Sequence, residues 1–198
     1  MSEMPPALRA IADRLIYDIA CLKHAVTSLP RGALDEKAGG GDWNVRQVIA
    51  HLAAYAELYA GMLERRARGE PPMPDDFDIE AFHERTVEGG DARLPDLLGR
   101  LSAARDRCIA AFETVDVAAL DEPFRRGTLL QTLQRWSRHV GRHGLDIVST
   151  FATLHVDPLL LRWTLAPEFS GEEWTGATEL QQRIRESARE QLTRLAED

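Results

Sequence analysis

Apolar residues recur at three- and four-residue steps through four long stretches of this chain, and the two-residue alternation of a half-buried strand is nearly absent. The first stretch opens on Pro5 and Pro6, which suit a first helical turn because the N–H that proline lacks has no intrahelical partner there. It carries Leu8, Ile11, Leu15, Ile19, Leu22, Val26 and Leu29 up to Pro30. A glycine-rich connection over 31–41 breaks the pattern. Asn44 followed by Gln47 then fits a capping box, with Trp43 outside it as a staple onto Val48, and the second stripe runs Val48, Leu52, Tyr55, Tyr59, Leu63.

Residues 70–91 start irregularly, because Pro71, Pro72 and Pro74 remove donors and restrict their predecessors, and a short helix is expected over 77–88. Leu94, Leu97, Leu98, Leu101, Cys108, Ile109 and Phe112 form the third stripe, with Pro95 in its first turn. A loop over 114–127 leads to the fourth, from about Thr128 to Leu154, through Leu129, Leu133, Trp136, Val140, His143, Ile147, Phe151 and Leu154. Asp157-Pro158 reads as its end. Thr178 and Gln181 fit a capping box for a last amphipathic helix with Leu180, Ile184, Ala188, Leu192 and Leu195 on one side. The economical architecture is an all-α four-helix bundle over 1–155 with a C-terminal extension over 156–198, docked on the same domain or on a partner subunit.

At 198 residues the chain can bury a core without disulfide or metal help. A net charge of -8, with arginines scattered among acidic residues, argues against nucleic-acid binding, which needs a basic footprint. No run approaches eighteen apolar residues and the first six residues lack a signal-peptide pattern, so no membrane segment is expected and the location expected is cytoplasmic. Cys21 and Cys108 fall in helical stretches and read as buried thiols, without a disulfide or a catalytic role.

Chemistry concentrates in Arg138-His139-Val140-Gly141-Arg142-His143-Gly144-Leu145-Asp146-Ile147. Histidines four apart on a helix stand on one face, one turn above the other, so both imidazoles reach toward a single point. A metal ion needs at least a third ligand, and His51, on the apolar side of the second stripe, is the best donor. The expected site is therefore a facial His51, His139, His143 triad with open metal positions. The competing account is ordinary: a histidine on an apolar face is often a hydrogen-bonded core residue, and the four-residue spacing arises by accident. Gly141 and Gly144 each cost about 1 kcal/mol in a helix relative to alanine, so either a close neighbour or ligand uses the space or they occur by chance. His83, beside Glu84 and Arg85, reads as a surface histidine, with a lid or substrate-side role as the alternative.

Two motifs resemble the DinB/YfiT-like superfamily. Trp43-Asn44 followed by Val48, His51 and Leu52 is similar to the pattern that opens that superfamily's second helix, and His139-x-x-x-His143 to its paired-histidine signature. The resemblance is close over the second and fourth helices and loose over the outline from about 5 to 155; residues 156–198 lie outside it. It implies a DinB-like four-helix bundle, often dimeric, holding zinc or nickel through three histidines, which are His51, His139 and His143 here. The mycothiol-dependent maleylpyruvate isomerases tend to carry a carboxylate where His139 stands, so the all-histidine set looks more like the DinB and bacillithiol-transferase branch. That branch implies activation of a low-molecular-weight thiol against an electrophilic small molecule; a metal-bound hydroxide would give hydrolysis by the same logic.

No catalytic residue follows from spacing. Asp146, one turn beyond His143, is a candidate for orienting an imidazole and equally reads as a solvated or capping aspartate; Glu57 and Tyr55 are further acid–base candidates. Tyr55, Tyr59, Trp136 and Phe151 read as core before pocket wall. The opposing functional class is a non-catalytic bundle serving interaction or stress response, metal-stabilised or metal-free; a sensor of stress or of metal is a third.

Overall fold

The structure is a computed structural model that describes residues 4–39, 41–74, 76–124, 127–166 and 179–197, with the backbone alone at 179–184 and 197. Among the described residues there are seven α-helices: α1 Pro6–Ser28, α2 Val45–Ala67, α3 Ile79–Glu88, α4 Leu94–Phe112, α5 Leu129–Thr150, α6 Pro158–Thr164 and α7 Glu179–Glu197. Short 3-10 turns occupy Arg31–Asp35, Gly89–Asp91, Val117–Asp121 and Ala152–Val156. Extended pairing among the described residues is confined to two isolated bridges, Lys37 with Asn44 and Pro123 with Thr128. No helix is long and apolar enough to cross a membrane among the described residues.

The chain divides into two compact units, Met1–Ile19 with Arg46–Ser137, and Ala20–Val45 with Arg138–Asp198. In the first, residues of the stripes read from the sequence are buried: Leu8, Leu15 and Ile19 of α1, Leu52 of α2, and Leu97 and Leu101 of α4 all have no accessible surface. Two bidentate ion pairs, Glu57 with Arg100 and Glu64 with Arg107, tie α2 to α4 at 2.7–2.9 Å. Both pairs share one sequence offset, so α2 and α4 run in the same direction. Parallel neighbours need a long return connection, and residues 68–93 with α3 supply it. Between these helices the Cys108 thiol points at the Ala56 carbonyl, 3.7 Å away. Burial pushes that thiol up to about 12, so it stays protonated and is no nucleophile. Cys21 is buried too, and neither cysteine is in a disulfide.

The start of α5 shows why chain direction changes at residue 127. Gly127 adopts a positive φ of 131°, and the next residue opens a reciprocal cap in which the Thr128 N–H donates to Gln131 Oε1 at 3.0 Å and the Gln131 N–H donates to Thr128 Oγ1 at 3.2 Å. The helix stops at Thr150, four residues earlier than the apolar stripe suggests. Ser149 and Thr150 both turn their hydroxyls back onto the Asp146 carbonyl at 2.8 Å, offering the backbone an alternative to continued helix, and Phe151 is extended.

In the second unit the sequence expectation needs one correction. Asp157-Pro158 opens a helix: Pro158 is in the first turn of α6, and the Asp157 carboxylate accepts from the Leu159 and Leu160 N–H groups at 2.8 and 3.2 Å. Leu160, Leu161 and Trp163 are buried by it. α7 lies against α6 and against the Ala152–Val156 turn, with Ala188 buried and Leu195 exposed. Thr178, half of the expected final capping box, lies outside the described residues.

Asp157 also meets His24 Nε2 at 2.6 Å, which ties the α6 cap to α1. Burial would raise this carboxyl, but the His24 bond and the Leu160 and Leu159 N–H groups outweigh it and hold the acid below its ordinary value of 3.8. A carboxyl whose folded value is lowered stabilises fully above its unfolded value and loses that contribution as pH falls through the folded one. Asp157→Ala should therefore cost roughly 0.5–2 kcal/mol at pH 7, typical of a lost N-cap. The gap to wild type should narrow below about pH 4, as thermal melts at the two pH values would record; an unchanged gap would mean that the charged cap is not what stabilises α6.

Candidate metal centre

α5 carries His139 and His143 one helical turn apart, and the turn brings their rings together. Ring centroids are 4.6 Å apart and the planes stand edge to face at 84°. Both are half-buried, between the fully buried Val140 and Ile147 of the apolar stripe and the exposed Arg142. His143 Nδ1 faces Asp146 Oδ2 at 3.4 Å, one turn along, with the two side chains 15% and 28% exposed. A carboxylate at Nδ1 favours the tautomer that keeps the proton there and leaves Nε2 as the lone-pair donor, which is what a metal-bound imidazole requires.

The connection before α2 supplies the other neighbour of His143. Trp43, expected as a staple onto Val48, lies with its ring 6.5 Å from the His143 ring at an interplanar angle of 26°, an offset stack. Asn44 immediately precedes the first residue of α2, the place a cap requires.

His51 sits in the second turn of α2 and is 3% exposed, as its place in the stripe predicts. Around it in the same unit are aromatic rings: Tyr55 at 4.6 Å and His83 at 5.7 Å between centroids. The Tyr55 hydroxyl and His83 Nε2 are hydrogen-bonded at 2.7 Å. His83 is thus half-buried and partnered, not a solvated surface residue. The capped start of α3 causes this: Asp78 accepts from the Glu80 and Ala81 N–H groups, and the helix it nucleates lays Phe82 and His83 on Tyr55. Nothing in the local spacing signals that contact, because its partners are 28 residues apart.

Other candidates fall where packing puts them. Tyr59 and Trp136 are buried and stacked at 5.0 Å and 15°, so they are core. Phe151 is 8% exposed. Glu57 is held by Arg100 in a bidentate pair. Gly144 admits a close neighbour, the Trp163 ring, where a Cβ would lie 2.0 Å from Cη2.

A family model described as DinB superfamily matches residues 18–147. The chain belongs to the DinB superfamily. Two crystal structures are similar to this DinB protein: those of mycothiol-dependent maleylpyruvate isomerase and of a variant of it with one histidine replaced by alanine. Each aligns with a TM-score of 0.61 at 18% identity, covering 89% of this chain and 75% of the other. At that identity the likeness is one of fold, and it extends past residue 155 into the segment beyond the recognisable motifs. No curated protein matches the chain. The all-α, DinB-like architecture read from the periodicity and motifs is the architecture present.

Proposed function

We propose that His51, His139 and His143 hold one divalent metal ion, zinc or nickel, and that this DinB protein is a metal-dependent enzyme acting on a small molecule, by thiol transfer or hydrolysis. The observation that carries the reading is the pair on α5: the His139 and His143 rings stand one helical turn apart with centroids 4.6 Å apart, and Asp146 meets His143 at Nδ1. An ion about 2.1 Å from each of three tetrahedral donors sets them roughly 3–4 Å apart. Imidazole is a ligand that suits zinc and nickel alike. A bound divalent ion supplies one thing: it lowers the pKa of a coordinated thiol or water toward neutrality.

The residues of the chain do the rest. Asp146 keeps the proton of His143 on Nδ1, and buried surroundings keep His51 from competing solvent. A low-molecular-weight thiol as co-substrate is favoured by the fold's likeness to a mycothiol-dependent isomerase. The superfamily's frequent dimers extend the reading to a homodimer. The test is turnover by protein loaded with zinc or nickel, offered a panel of low-molecular-weight thiols with an electrophilic aryl halide, and separately activated esters with water. Thiol consumption or ester hydrolysis that a chelator abolishes is the expected result. Stoichiometric metal with neither activity would sink the enzyme reading and leave a metal-binding protein.

A further inference from the structure

The connection between the Arg31–Asp35 turn and α2 is a closed loop. Lys37 and Asn44 form its bridge, the Ala38 N–H donates to the Trp43 carbonyl at 3.0 Å, and the Val45 N–H donates to the Glu36 carbonyl at 3.2 Å. Two of its residues reach α5. Gly39, at φ +63°, donates its N–H to Thr150 Oγ1 at 2.7 Å, and that hydroxyl donates to the Asp146 carbonyl. A Cβ on Gly39 would lie 2.6 Å from Asp146 Cβ and 2.9 Å from its Cγ, so the loop backbone is pressed against the root of the Asp146 side chain. Only a residue without Cβ allows both that approach and the left-handed backbone. Four residues on, Trp43 stacks on the His143 ring.

One loop therefore bears on one imidazole in two ways. Through Gly39 it limits the room of the carboxylate that meets Nδ1, and through Trp43 it lies along the ring plane. We propose that the loop from Lys37 to Asn44 is a positioning clamp for His143, with Gly39 and Trp43 as its two contacts. It fixes the imidazole rotamer with Nε2 presented as donor before any ion arrives. Partners that orient a ligating histidine typically change metal affinity about 10–100-fold when removed, and the rotamer freedom lost beforehand is not lost on binding. The metal consequence rests on the reading of His143 as a ligand; the orientation of the ring does not.

The test uses full-length metal-free protein with labelled histidine, and reads the His143 side-chain rotamer from three-bond couplings. Wild type should show a single χ1 rotamer. Trp43→Leu, Thr150→Val and Gly39→Ala should each give averaged couplings at His143, leave His24 and His155 unchanged, and weaken zinc binding about tenfold. Gly32→Ala, in open space, is the control and should change nothing. If Gly39→Ala does not fold, Trp43→Leu and the isosteric Thr150→Val decide. Folded Trp43→Leu and Thr150→Val proteins with the wild-type rotamer overturn the clamp. Wild-type protein that binds no zinc overturns the metal reading instead, while the couplings still decide the clamp.

Discussion

Replacing His143 with alanine should strip zinc or nickel from protein purified without an affinity tag or chelator, taking metal content from near one per chain to near zero. Structural zinc sites with four ligands are worth about 10–16 kcal/mol, so each ligand carries roughly 2.5–4 kcal/mol. That is a factor of about 60–700 in affinity, enough to empty the site during purification. His139→Ala and His51→Ala should do the same, because two imidazoles alone leave the ion mostly to water. The control comes from the same molecule. His83 is the other histidine beside His51, its ring 5.7 Å away, but its Nε2 is engaged by the Tyr55 hydroxyl. His83→Ala should therefore retain metal. Equal loss in His83→Ala and His143→Ala would mean that the ligand set is wrong; full retention in His143→Ala would remove the site altogether.

What the sequence made legible follows from which forces are local. Helical stripes report burial one residue at a time, so Leu8, Leu15, Leu52, Leu97 and Leu101 could be placed in the core from spacing alone, and they are there. The His139–His143 pair is also local, since four residues of helix fix its geometry. Contacts between distant segments carry no such signature. His83 and Tyr55, Gly39 and Asp146, and Trp43 and His143 are each joined by the path of a loop, and neither member looks unusual among its own neighbours. Asp157-Pro158 shows a different limit. Aspartate then proline satisfies the rule for ending one helix and the rule for starting the next, and only the Leu159 and Leu160 N–H groups bonded to the carboxylate decide between them.

Gly144→Ala should destabilise the protein although alanine is the better helix former. In the middle of α5 the exchange is worth about 1 kcal/mol in favour of alanine on propensity alone. Against it stands the Trp163 ring: a Cβ at 144 would lie 2.0 Å from Cη2, 2.6 Å from Cζ2 and 3.0 Å from Cζ3, far inside the roughly 3.5–4.0 Å of carbon contact. A flexible neighbour could yield, but Trp163 is 1% exposed on a seven-residue helix anchored by the Asp157 cap, so the ring has no solvent to swing into. Forced overpacking costs about 1–3 kcal/mol and occasionally more, and a 2.0 Å approach belongs at the upper end. The net loss expected is about 2 kcal/mol, or roughly 4–8 °C in Tm for a chain of this length. Two further glycines isolate the cause. Gly61 in α2 and Gly99 in α4 would place a Cβ in open space, so their alanine variants should gain stability by up to about 1 kcal/mol. Shrinking the opposing ring with Trp163→Leu should make the Gly144→Ala penalty smaller than it is in wild type, the sign of a steric pair in a double-mutant cycle. A Gly144→Ala protein that melts at or above wild type would show that α6 can move off α5 at little cost, and the close approach of Trp163 would then not be what requires glycine there.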